Sequence, residues 1–220
     1  MSSVSDAIAD LAARRGLDPG VDIPPEPPFD PVEWRTATYT AILDREIPKT
    51  FAGAAVTDPA ILRWATGHLA DPAGAPWLLL TGNTGVGKTH QAYGVLRLLV
   101  LGAAQANRRC RWRFVTHPEM NAELRPKPDD SHTSALGVYL EADLLVLDDV
   151  GAGKSTDWTL DSLIRLVDHR WSHRMPTIYT TNLDADQLGQ TVGDRVLSRL
   201  ADGTVVALSG RDRRWMRGPS

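Results

Sequence analysis

Trp77-Leu78-Leu79-Leu80-Thr81-Gly82-Asn83-Thr84-Gly85-Val86-Gly87-Lys88-Thr89 is the stretch that decides the fold. Its first five residues form a continuous apolar run, as expected of a parallel strand covered on both faces. The remainder, Gly82 to Thr89, fits G-x-x-x-x-G-K-[ST] in full. Beyond it, Ala92, Val95, Leu96, Leu99 and Val100 are spaced as one face of a helix. Strand, glycine-rich turn and helix in that order predict a loop whose backbone N–H groups point at phosphate oxygens, aided by the positive end of the helix. Every residue of the loop, Gly82, Asn83, Thr84, Gly85, Val86, Gly87, Lys88 and Thr89, is expected to touch ATP. Lys88, expected outside the core, reaches the β- and γ-phosphates, and Thr89 places its hydroxyl on Mg²⁺.

The rest of the chain supplies the partners such a loop needs. Leu144-Leu145-Val146-Leu147-Asp148-Asp149 is a second buried strand ending in two carboxylates. Asp148 stands where a second magnesium ligand belongs, and Asp149 is placed to orient or deprotonate an attacking water. Two aspartates can also simply terminate a strand. Asn182 follows Thr177-Ile178-Tyr179-Thr180-Thr181. An asparagine there is either a turn residue or a polar sensor of the γ-phosphate, because parallel strands gather their carboxyl ends at one edge. Strands at Arg111–Thr116 and Thr204–Leu208 bring the number to five, and Leu160, Leu163, Ile164, Val167 and Trp171 mark another amphipathic helix. The alternation predicts a three-layer α/β fold with a five-stranded, mostly parallel sheet.

Composition bounds the rest. With 42% hydrophobic and 23% charged residues in 220, the chain reads as one ordinary globular domain with an extension. A net charge of −3 gives no global pull toward nucleic acid, so any such binding must be local. The single cysteine, Cys110, has no internal disulfide partner, which suits a reducing compartment. The start lacks a basic, apolar leader, and the apolar run around Val95–Ala104 is too short to span a bilayer. A cytoplasmic, non-membrane protein is expected. A short helix at Ser5–Arg15, a proline-rich linker at Asp18–Pro31 and a modest helix at Val32–Arg45 make up an N-terminal extension of residues 1–46. The ATPase core is expected at 47–208 and a short tail at 209–220.

Taken together, the P-loop with its trailing His90, Leu144–Gly151, Thr180-Thr181-Asn182-Leu183 and Gly193-Asp194-Arg195-Val196-Leu197-Ser198-Arg199-Leu200 resemble the AAA+ ATPases of the bacterial helicase-loader type (DnaC-like). The IstB-type transposition helpers are similar as well. The resemblance covers roughly Ile47 to Arg214. It implies that Arg199 is a finger reaching a neighbouring subunit's ATP, with Arg195 as a supporting cation. It also implies that Arg214 senses nucleotide in its own subunit, Arg211 and Arg213 being alternatives of register. The chain then ends, so no C-terminal helical lid is expected. Two features depart from the pattern: little chain precedes the core, and the second acid of the strand is Asp149 rather than glutamate, whose longer reach would suit faster hydrolysis.

Arg108, Arg109, Arg111 and Arg113, with Trp112 among them, either track a single-stranded phosphate backbone and stack a base, or protect a strand edge. His169 and His173 lack a third metal ligand and read as surface residues, while the seven tryptophans read as core and packing residues and not as a binding box. The resulting expectation is a slow ATPase that uses ATP and Mg²⁺, forms homo-oligomers, binds single-stranded DNA, and assists loading of a replicative helicase in DNA replication. The alternatives are an IstB-like transposition helper, a small-molecule P-loop kinase, or a nucleotide-dependent adaptor.

Overall fold

The computed structural model describes residues 14, 29–72, 77–125, 132–153 and 156–210. The expected helix at Ser5–Arg15, most of the proline-rich linker, and Arg211, Arg213 and Arg214 lie outside the described residues, apart from Arg14 and 29–31. The helices are α1 (Pro31–Glu46), α2 (Pro59–Ala70), α3 (Lys88–Gln105), α4 (His117–Glu123), α5 (His132–Leu140), α6 (Asp157–Ser172), α7 (Ala185–Val192) and α8 (Asp194–Ala201). The strands are β1 (Trp77–Thr81), β2 (Trp112–Thr116), β3 (Leu144–Asp148), β4 (Thr177–Thr181) and β5 (Thr204–Ala207).

The sheet runs β2-β3-β4-β1-β5. Each neighbouring pair is parallel, so the mostly parallel sheet expected from sequence is parallel throughout. Because successive side chains of a strand point to opposite faces, β1 feeds two cores. Leu78 and Leu80 join Leu43, Ile61, Val95, Leu96, Val146 and Ile178 on one face, beneath α1, α2 and α3. Trp77 and Leu79 join Met120, Leu145, Leu147, Leu163, Val167 and Val196 on the other, beneath α4, α6 and α8. These are the three layers. β2 begins at Trp112 rather than Arg111. β5 ends at Ala207, although the Leu208 N–H still donates to the Thr81 carbonyl at 2.8 Å.

The helix expected within the N-terminal extension packs on the core instead. Leu43 is fully buried, the Tyr39 hydroxyl accepts from the Cys110 N–H at 3.1 Å, and Asp44 pairs with Arg97 at 2.9 Å. The compact unit therefore begins at Pro31, not at residue 47. Among the described residues no helix is long and apolar enough to cross a membrane.

Helix starts follow local chemistry. Asp58 accepts from the Ala60 and Ile61 N–H groups ahead of Pro59, and Thr116 with Glu119, Thr156 with Thr159, and Asp184 with Gln187 form reciprocal capping boxes. α3 and α8 start on Gly87 and Gly193, with no side-chain cap.

One fully buried cation ties the layers. Arg170 donates to the carbonyls of Tyr139 (2.9 Å), Ala142 (2.9 Å) and Pro176 (2.6 Å) and to the Thr177 hydroxyl (2.7 Å). It thereby joins the end of α5 to α6 and to the start of β4. Burial disfavours its charge and pulls its pKa down to about 10, and the carbonyl oxygens offset that cost. Arg170→Ala would remove this donor from the Tyr139 and Ala142 carbonyls, while the Pro176 carbonyl keeps the Leu145 N–H at 3.2 Å. Urea unfolding should show a loss of about 3 kcal/mol or more; a loss below ~1 kcal/mol would mean the knot is dispensable.

Candidate nucleotide-binding site

The site forms where three parallel strands end together. Thr81 of β1 is in register with Thr181 of β4, so Gly82 and Asn182 leave the sheet side by side. Leu147 is in register with Tyr179, which sets Asp148 beside Thr180. Gly85 (φ 86°) and Gly87 (φ 102°) take up the left-handed backbone that curls the loop. The uncapped start of α3 leaves its first N–H groups facing the loop, and such a helix end attracts anions.

Lys88 is buried, only 4% exposed, and not outside the core as expected. Its ammonium donates to the Gly82 carbonyl (2.7 Å), the Asn83 carbonyl (2.9 Å) and Asn182 Oδ1 (2.6 Å). The Asn182 amide in turn donates to Asp149 Oδ1 at 3.0 Å. One asparagine thus bridges the loop lysine to the carboxylate that follows β3.

Beside this chain lies a second. The Thr89 hydroxyl donates to Asp148 Oδ2 at 3.0 Å, and the Thr180 hydroxyl donates to Asp148 Oδ1 at 2.5 Å while accepting from the Asp149 N–H at 3.0 Å. Burial pushes the Asp148 pKa up, with Asp149 adding to the shift; the Thr180 and Thr89 hydroxyls and Lys88 oppose it. A buried carboxylate next to a hydroxyl is an all-oxygen pair of the kind magnesium takes, its other positions going to water and phosphate oxygen. Thr89 and Asp148 fit that ion. Sequence reasoning missed Thr180; its signal was a hydroxyl one position before the end of β4, in register with Asp148.

His117, also missed, supports the segment after Asp149. It is 7% exposed, and its Nδ1 accepts from the Gly151 N–H at 3.4 Å. Burial lowers its pKa from 6.5 to about 4, so it is neutral at pH 7.

The expected arginines fall in two other places. Arg195 and Arg199 make no hydrogen bond to the loop; both pair with Asp168 on α6. At β2, two members of the arginine–tryptophan cluster have partners within the chain. Arg111 is engaged by Asp143 and by the Glu141 carbonyl, and Trp112 sits edge-on against Tyr39 with its N–H on Glu46. Trp112 is thereby held by α1, whereas Arg108, Arg109, Arg111 and Arg113 are all exposed. Depressions of 260 and 440 Å³ flank Trp112, and no residue of Gly82–Thr89 lines either one. His169 and His173 stack on each other, and among the described residues no three metal-ligating side chains cluster.

A central parallel strand, a glycine-rich loop with a buried lysine and an adjoining threonine–aspartate pair define a P-loop nucleotide-binding protein. Residues 73–204 match the family described as IstB-like ATP binding protein, and the chain belongs to that family. It is 32% identical over 113 residues to the replicative helicase loader DnaI of Bacillus subtilis (strain 168), covering 50% of this chain and 34% of that protein. It is 25% identical over 128 residues to the replicative helicase loader DnaC of Escherichia coli (strain K12), covering 57% and 50%. The chain thus spans a third to a half of the length of these curated relatives. Its fold matches the crystal structure of the DnaC helicase loader with a TM-score of 0.62 at 20% identity, over 74% of this chain and 100% of that one.

Two predictions follow from the geometry. Lys88→Ala removes the cation of the glycine-rich loop and should weaken ATP binding by about 2–5 kcal/mol in calorimetry. Unchanged affinity in folded protein would mean the loop does not read phosphate. His117, whose folded pKa lies below its unfolded one, adds stability that is complete above pH 6.5 and is lost as pH falls toward 4. Wild type should therefore lose about 3 kcal/mol more than His117→Gln across that window; parallel pH profiles would show that His117 is not held neutral.

Proposed function

We propose that the chain hydrolyses ATP slowly, at interfaces between its own copies, and assists the loading of a replicative helicase onto single-stranded DNA. The observation that carries the hydrolytic part is the Asn182 amide, which contacts Lys88 and Asp149 at once. The loading part is supported by similarity to DnaI and DnaC, both described as replicative helicase loaders.

In this mechanism the loop N–H groups and the start of α3 bind the phosphate chain of ATP. Lys88 exchanges the Gly82 and Asn83 carbonyls for β- and γ-phosphate oxygens. Thr89 and Asp148 would hold Mg²⁺, which supplies Lewis-acid stabilisation of charge on the transferred phosphoryl group. Asn182 fixes the γ-phosphate against Asp149, whose carboxylate orients the attacking water and accepts its proton. The aspartate is one methylene shorter than a glutamate, which fits a slow enzyme or a timing switch. Arg199 of a neighbouring copy neutralises developing charge, with Arg195 in support, and tail arginines such as Arg214 contact nucleotide in the same subunit.

A second reading, delivery of a transposase, is favoured by the family match, whose description is IstB-like. Co-purification of this chain with a replicative helicase and, separately, with a transposase, each with and without ATP, decides between them. ATP-dependent capture of the helicase alone supports loading; capture of the transposase alone overturns it. Phosphate release measured with and without single-stranded DNA separates an ATPase from a silent adaptor, and phosphorylation of a small molecule would identify a kinase.

Arg199→Ala should retain wild-type ATP affinity, since the residues of its own pocket are intact. Its turnover in the assembled state should fall by roughly 10³-fold, the lower end for arginine fingers. Full turnover would exclude Arg199 from the reaction.

A further inference from the structure

α6 and α8 lie side by side, and their facing residues form a small charged assembly outside the nucleotide loop. On α6, Asp168 and Trp171 are three apart; on α8, Arg195 and Arg199 are four apart, so each pair shares a helix face. The Asp168 carboxylate divides between the two cations. Its Oδ1 pairs with Arg199 Nε at 2.6 Å and its Oδ2 with Arg195 Nη2 at 2.5 Å. The Arg199 guanidinium lies over the Trp171 ring, 4.8 Å from its centroid. Trp171 is itself anchored, its N–H donating to Asp202 Oδ2 at 3.0 Å.

These contacts hold Arg199. The Nε–H is not directed at Asp168 Oδ1, so that pairing is one of charge, and the carboxylate and the indole face together confine the guanidinium. Its terminal edge carries only a long bond from Nη1 to the Arg195 carbonyl, at 3.3 Å. Arg195 is the more open of the two, its side chain 64% exposed against 23% for Arg199. A lone arginine freezes much rotational freedom when it reaches a target. Here that ordering is complete before any partner arrives.

We propose that Asp168 is a positioning residue for ATP turnover in a second copy of this chain: it holds the Arg199 guanidinium in place between the carboxylate and the Trp171 ring. This rests on Arg199 acting on a neighbour's ATP. The competing explanation is that Asp168 merely fastens α6 to α8. The two differ in which subunit of a mixed assembly feels the loss.

Mixing Lys88→Ala, which keeps its arginines, with Arg199→Ala, which keeps its loop, provides the reference turnover. Asp168→Asn is then added to the Lys88→Ala subunit in one mixture and to the Arg199→Ala subunit in another. The expected result is a ten- to hundred-fold fall in kcat, of the size misplacement of a catalytic group produces, with KM unchanged, in the first mixture only. Trp171→Leu should follow the same pattern with smaller amplitude, which covers the case of an Asp168→Asn protein that does not fold. An equal fall in both mixtures, or no fall in either, overturns positioning and leaves Asp168 a fastener. No turnover in the reference mixture overturns the trans-acting arginine itself, and that outcome is visible before Asp168 is changed.

Discussion

The parallel register of β1, β3 and β4 is the constraint on which the site depends. Parallel strands end at one edge of a sheet, so the residues that follow them meet there whatever their distance along the chain. Here the pairings Thr81 with Thr181 and Leu147 with Tyr179 bring Lys88 into contact with Asn182 and set Asp148 beside Thr180. A slip of one residue in β4 would turn Thr180 to the other face. It would also separate the hydroxyl from the buried carboxylate it serves. The apolar clusters on both faces make such a slip costly, since Ile178 and Tyr179 occupy opposite layers.

On that frame the site is assembled from groups with unspent bonding capacity. α3 is uncapped at its start, whereas α2, α4, α6 and α7 each carry a side-chain cap, so its N–H groups remain directed at the loop. Asp148 is buried with its pKa raised, so a cation beside it would relieve the cost of its buried charge. Asp149 adopts φ 55°, an unusual backbone for a residue with a side chain. Such a conformation costs of order 1–3 kcal/mol and persists where surrounding bonds hold it. The Thr180 hydroxyl accepting from the Asp149 N–H, and the Val150 N–H donating to the Thr180 carbonyl at 2.8 Å, supply that hold. The strain points the Asp149 carboxylate back at Asn182 instead of onward with the strand.

Much of this was legible in the chain because the signals are local. The apolar run at Trp77–Thr81, the complete loop motif and the spacing of Ala92 to Val100 specify strand, turn and helix without reference to any distant residue. The same holds for Asp148, Asp149 and Asn182, each placed at or just past the end of a buried strand. What the sequence hid were partnerships across elements. Lys88 is buried because Asn182, far along the chain, closes over it. Trp112 looked like a free stacking surface because its partners Tyr39 and Glu46 belong to α1, a helix whose weak apolar patterning made it read as part of an extension. Arg170 sits in an amphipathic pattern as an ordinary charged residue, and only the fold turns five neighbouring acceptors toward it.

We propose that Gly82–Thr89 recognises the phosphate chain, not the base or sugar, and that Thr89 with Asp148 adds a metal-dependent component. Calorimetric titration of the wild-type chain with ATP and with AMP, each in Mg²⁺ and in EDTA, tests it most directly. ATP should bind far more tightly than AMP, and only the ATP affinity should drop when Mg²⁺ is withdrawn. AMP binding as tightly as ATP, or an ATP affinity indifferent to the metal, would contradict the account.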